Sequence, residues 1–126
     1  MTAVSMAATF LLALGSLAHA GRLVQDAGGL SIHLTSHPET PRRNAETRYV
    51  LRIMDTAGSP VRGAQVVLRG AMADGMSVVA PLRTAVQPGE YHGRVLFTME
   101  GQWQLTLRVT RDGRSLELPL TETVGR

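Results

Sequence analysis

From Leu30 almost to the C-terminus, apolar and polar side chains alternate with a period of two residues. Only an extended strand sends successive side chains to opposite faces, so this pattern predicts strands with one buried face and one solvated face. Leu30, Ile32 and Leu34 alternate with Ser31, His33 and Thr35, and Tyr49, Leu51 and Ile53 alternate with Arg48, Val50 and Arg52. Further strands are predicted at Val61 to Arg69, at Val78 to Arg83, and around Tyr91, Gly93, Val95 and Phe97. Trp103, Leu105, Leu107 and Val109 repeat the alternation, and Leu116, Leu118 and Leu120 end it. Turn residues separate the runs: Asp55 to Pro60, Ala73-Asp74-Gly75, Gln87-Pro88-Gly89 and Arg111-Asp112-Gly113. Asp112-Gly113 between two alternating runs is a strong hairpin signal. No helical period of useful length occurs after residue 21. Seven half-buried strands imply an all-β fold, a seven-strand immunoglobulin-like β-sandwich. Pro119 marks the last strand as an edge, because proline cannot donate to a ladder on both sides.

The N-terminus has a different character. Ala3 to Ala20 are almost wholly apolar or small, and the run closes on Ala18-His19-Ala20 before Gly21. A short apolar stretch ending in A-x-A predicts a secretory signal segment at residues 1–20, cleaved after Ala20. No Arg or Lys precedes the run, so a different start codon and an uncleaved membrane anchor both remain open. On this division residues 21–27 are a linker, 28–121 the sandwich domain and 122–126 a tail. Localisation follows as exported, periplasmic or extracytoplasmic, and membrane-anchored if the segment is retained.

Composition removes several chemistries. Cysteine is absent, which excludes disulfides, thiol catalysis and thiolate metal sites. All 13 basic residues are arginine, so no lysine is present for a Schiff base or a phosphate loop. The net charge is only +3 and aromatics are 4%; with the arginines spaced singly along strands, nucleic acid is not an expected partner. Ser31, His33 and Asp26 lack the spacing of a nucleophile elbow, and no calcium-loop or phosphate-loop pattern occurs. The expected protein is not an enzyme.

The stretch Asp55 to Val109 resembles the FixH/YtkA-like family. The resemblance is carried by Gly58-Ser59-Pro60-Val61, Gly63-Ala64-Gln65-Val66, Met72 and Met76, Pro88-Gly89-Glu90-Tyr91, and Phe97 through Trp103. It extends over roughly residues 28–120. It implies a small secreted or membrane-anchored sandwich domain, associated with cytochrome oxidase assembly and with copper or other metal handling at the cell envelope. An interaction or assembly module with an envelope or membrane protein partner is therefore one expectation.

A copper-handling domain is the other. Thioether and imidazole ligands suit copper, with methionine favouring Cu(I). In the predicted sandwich, the loops after the first, third and fifth strands gather at one end. His37 would lie in the first, Met72 and Met76 in the second and Met99 in the third, so these four residues form the candidate metal site. Packing under the loops is the competing role for the methionines. His33 and His92 are expected to face solvent.

Overall fold

The computed structural model describes residues 17–19 and 22–126. Nine strands follow one another: β1 Leu17–His19, β2 Arg22–Ala27, β3 Leu30–His37, β4 Glu46–Asp55, β5 Gln65–Ala71, β6 Ser77–Thr84, β7 Glu90–Leu96, β8 Gly101–Arg111 and β9 Arg114–Val124. Among the described residues no helix is long and apolar enough to cross a membrane. The strands pair antiparallel in the order β1-β2-β3-β4-β7-β6-β5-β8-β9.

This order folds over on itself at β6. That strand pairs with β5 from Ser77 to Leu82, but meets β7 only at Arg83 and Thr84. One layer therefore contains β1, β2, β3, β4 and β7, and the other contains β5, β8 and β9 with most of β6. Where β6 crosses, it comes very close to Gly93 of β7. A Cβ on Gly93 would stand 2.8 Å from the Pro81 carbonyl oxygen, so this crossing requires a residue without a side chain.

The alternation is realised strand by strand. β8 buries Trp103, Leu105, Leu107 and Val109, and β3 buries Leu30, Ile32 and Leu34. Trp103 is completely buried, with its ring tilted at 60° to Phe97 and 5.1 Å from it between centroids. Asp112 and Gly113 both take positive φ (51° and 75°) and join β8 to β9 in the two-residue hairpin that their sequence predicts. Pro119 lies in β9, an outermost strand of the order.

Several boundaries differ from the sequence expectations. The expected linker 21–27 contains strand β2, which buries Leu23, Gln25 and Ala27 and turns into β3 through Gly28-Gly29 at positive φ. Eight strands, not seven, lie beyond residue 21. The third expected strand begins at Gln65 instead of Val61, because the Tyr91 hydroxyl engages the backbone of the segment before it. That hydroxyl donates to the Val61 carbonyl at 2.8 Å and accepts from the Ala64 N–H at 3.1 Å. The expected tail is largely strand: β9 reaches Val124, and Gly125 exchanges backbone bonds with Pro41 and Arg43 at 2.8 Å. Within the expected signal segment, Leu17–His19 forms β1 and pairs with Arg22 to Val24. The rest of that segment, including Ala20 and Gly21 on either side of the expected cleavage point, lies outside the described residues.

Trp103 is the largest of the fully buried side chains. Trp103→Ala is expected to cost about 3–5 kcal/mol, read as a fall in the urea midpoint. The wild-type indole should show the blue-shifted emission of a buried ring.

Candidate functional site

The antiparallel order brings four chain segments to one end of the sandwich. These are the loop after β3, the loop from Met72 to Met76 after β5, the loop from Phe97 to Glu100 after β7, and the C-terminus after β9. Backbone bonds join the loop after β3, the loop after β7 and the C-terminus, and close the Met72 to Met76 loop on itself. Asn44 N–H donates to the Phe97 carbonyl at 2.7 Å, and Arg43 N–H donates to Gly125. Met72 N–H donates to the Met76 carbonyl at 2.8 Å, while the Asp74 carboxylate accepts from Met76 N–H at 3.1 Å. The Met99 carbonyl accepts the Trp103 indole N–H at 3.1 Å.

The three methionines expected at a common end are on loops at that end. Met72 is half-buried against the core, and its methyl group lies 2.9 Å from where a Cβ of Gly101 would stand. Met76 and Met99 remain substantially exposed, at 40% and 43%. His37 stands apart from them in the layering. It is the last residue of β3, opposite Arg48, and its outward register position puts it on the solvated face of the other layer. Among the described residues no group of three or more His, Cys, Asp or Glu side chains is placed to hold a metal ion. A metal at this end would therefore depend on thioether sulfur.

Two polar clusters were not predicted by sequence spacing. On the solvated face of β4 and β7, Glu90 lies 2.8 Å from His92 Nε2 and 3.4 Å from Arg52. The hydrogen bond with His92, followed by that with Arg52 and the positive charges of both, holds the Glu90 carboxyl below the usual carboxylate range. Inside the sandwich, the Tyr49 hydroxyl donates to Glu122 Oε1 at 2.9 Å, and Glu122 is wholly buried. Burial, reinforced by the Glu122 charge and its hydrogen bond, pushes the Tyr49 hydroxyl far above its ordinary value and keeps it a donor. His33 faces solvent as expected, whereas His92 is half-buried beside Glu90.

The YtkA-like family model matches residues 24–108. Among solved structures, a DUF4426 family protein from Pseudomonas aeruginosa is similar, at 17% identity and a TM-score of 0.66, over 83% of this chain and 95% of that one. The Lin-41 filamin domain is similar at 19% identity and a TM-score of 0.54, over 69% of this chain and 83% of that one. At these identities the likeness establishes the immunoglobulin-like fold alone. No curated protein matches the chain.

The Glu90 cluster predicts a pH dependence of stability. A carboxyl depressed in the folded state stabilises fully above its unfolded value, near 4.5, and loses that contribution as pH falls through the lower folded value. Urea titrations should therefore find wild type more stable than Glu90→Gln at neutral pH. The difference should disappear in acid below the ordinary carboxylate range.

Proposed function

We propose, for a chain that belongs to the YtkA-like family, a non-enzymatic role as an exported envelope domain that docks a protein partner through the methionine end of its sandwich. Assembly of a respiratory oxidase is the process this role serves. The observation that carries it is the pairing of rigidity with exposed apolar surface. The loop of Met99 is bonded to the loop after β3, the loop of Met76 is closed by its own hydrogen bonds, and both present their methionine to solvent, where polarizable, adaptable thioethers suit a docking rim. A rim held in place before contact loses little conformational entropy on binding.

Cu(I) handling at the same end is the second reading. It is favoured by Met72, which reaches from the loop after β5 to Gly101, two residues beyond Met99. Under this reading the thioethers of Met72, Met76 and Met99 hold the ion, since without cysteine thioethers are the chain's soft ligands and these three lie on loops at this end.

A photo-crosslinking amino acid placed at Met76 or Met99 in cells tests the first reading, with Val86 as control. Val86 is almost fully exposed in the turn at the opposite end. The expected result is one defined membrane-fraction adduct from positions 76 and 99 and none from 86. Equal labelling from 86, or no adduct from 76 and 99, would overturn the docking role. For the second reading, Met72→Leu with Met76→Leu should abolish Cu(I) uptake under reducing conditions at a stability cost below ~1.5 kcal/mol for each exchange. Unchanged uptake would remove the metal site.

A further inference from the structure

We infer that the solvated face of the layer formed by β1, β2, β3, β4 and β7 is a docking surface for anionic phospholipid headgroups. This rests on different residues from the methionine end and stands whether or not that end binds a partner. Along the sequence the arginines look dispersed, but strand pairing gathers them. Arg48 of β4 is directly opposite Arg94 of β7 and, on its other side, opposite His37 of β3. Arg52 lies opposite Glu90, while Arg83 at the end of β6 lies opposite His92. Arg22 of β2 occupies the same face, opposite Thr35.

Glu46, Glu90 and the exposed Asp26 of β2 share this face with Arg22, Arg48, Arg52, Arg83 and Arg94, so they neutralise it only in part. Glu90 pairs with Arg52 at 3.4 Å and Glu46 with Arg94 at 3.7 Å. Arg22, Arg48 and Arg83 have no carboxylate partner among the described residues, and all three are exposed. Like charges directly opposite on neighbouring strands, as at Arg48 and Arg94, destabilise the fold. An anion bound across the pair would relieve that repulsion. The opposite layer has no comparable concentration. Its solvated face is largely neutral, with Arg69 and an Arg108 that pairs with Glu117 at 3.9 Å.

Three features select a lipid surface as the occupant. Guanidinium forks match phosphate oxygens two at a time. Val24, Val50 and the exposed Leu96 stand on the same face among the arginines, supplying the apolar contact that an interfacial surface uses. Finally, residues 3–16 are an uncharged, mostly apolar run that leads directly into β1, the edge strand of this same layer. In a chain that keeps this segment, one apolar run together with a basic patch provides the two signals that stable membrane association takes; the basic face by itself provides one.

The test is sedimentation of the full chain with vesicles of phosphatidylcholine alone, or with a third of the lipid replaced by phosphatidylglycerol. Partition onto the anionic vesicles should exceed partition onto neutral ones by roughly tenfold or more at low salt, and the excess should vanish in high salt. Arg22→Gln with Arg48→Gln and Arg83→Gln should remove most of that excess. Arg69→Gln with Arg108→Gln and Arg114→Gln, an equal loss of charge elsewhere, should leave most of it. Equal partition onto the two vesicle types would overturn the proposal without recourse to any variant. So would equal loss in both triple variants, or complete displacement by polyglutamate at matched charge, which would assign the face to an acidic protein.

Discussion

The Trp103 indole sits where the core meets the methionine end, and the geometry of both depends on it. Its ring is wholly buried against Phe97, while its N–H donates to the Met99 carbonyl. A buried donor left without an acceptor costs about 1–3 kcal/mol, so the loop after β7 cannot swing away without stranding the indole. That loop in turn accepts the Asn44 N–H at Phe97 and borders Gly101, against which Met72 lies. With no cysteine in the chain, non-covalent contacts of this kind hold the end in shape. A single core side chain thereby connects the packing of two layers to the surface proposed to do the binding.

A second constraint acts across the layers. Tyr49 on β4 and Glu122 on β9 belong to opposite layers, yet meet in a fully buried hydrogen bond. Apolar side chains tolerate several registers, because any of them can fill a similar space. A buried carboxylate does not, since a one-residue slip of β9 would turn Glu122 outward and present a neighbouring side chain to the core. The pair therefore specifies how β9 must lie over β4. Burial keeps the Tyr49 hydroxyl protonated and therefore a donor to Glu122.

How much of this was legible in the sequence follows from which signals are local. Alternation around Ile32, Leu51 and Leu105 exposes the strands directly, and Asp112-Gly113 identifies its hairpin, because both depend on residues close in the chain. β2 was harder to read: its buried positions are Leu23, Gln25 and Ala27, a polar and a small residue where a run of large apolar ones would announce a strand. The Gly28-Gly29 dipeptide was the available clue, being a two-residue hairpin signal in its own right. In the Val61 to Ala64 segment only Val61 is a strong strand former; Gly63 takes a positive φ of 72°, and the Tyr91 hydroxyl, some 30 residues away, engages the backbone. The gathering of methionine-bearing loops at one end was legible, because it needs only the parity of antiparallel strands. The position of His37 beside Arg48 and the facing of Arg48 by Arg94 were not, because both require knowing which strands are neighbours.

That last distinction separates the fold from its uses. A sandwich constrains one side chain in two, the inward set, and leaves the outward set and the loop ends free of any packing demand. Inward residues here are almost all apolar, and they account for the layers, the crossing at Gly93 and the burial of Trp103. The outward set differs between the two layers, being arginine-rich on one and largely neutral on the other, although both layers serve the core equally well. Solvation alone would be satisfied by the neutral face, which avoids the repulsion between Arg48 and Arg94. The fold does not require this asymmetry, which carries an electrostatic cost, and the proposed docking of an anionic surface on one side is a use that would repay it.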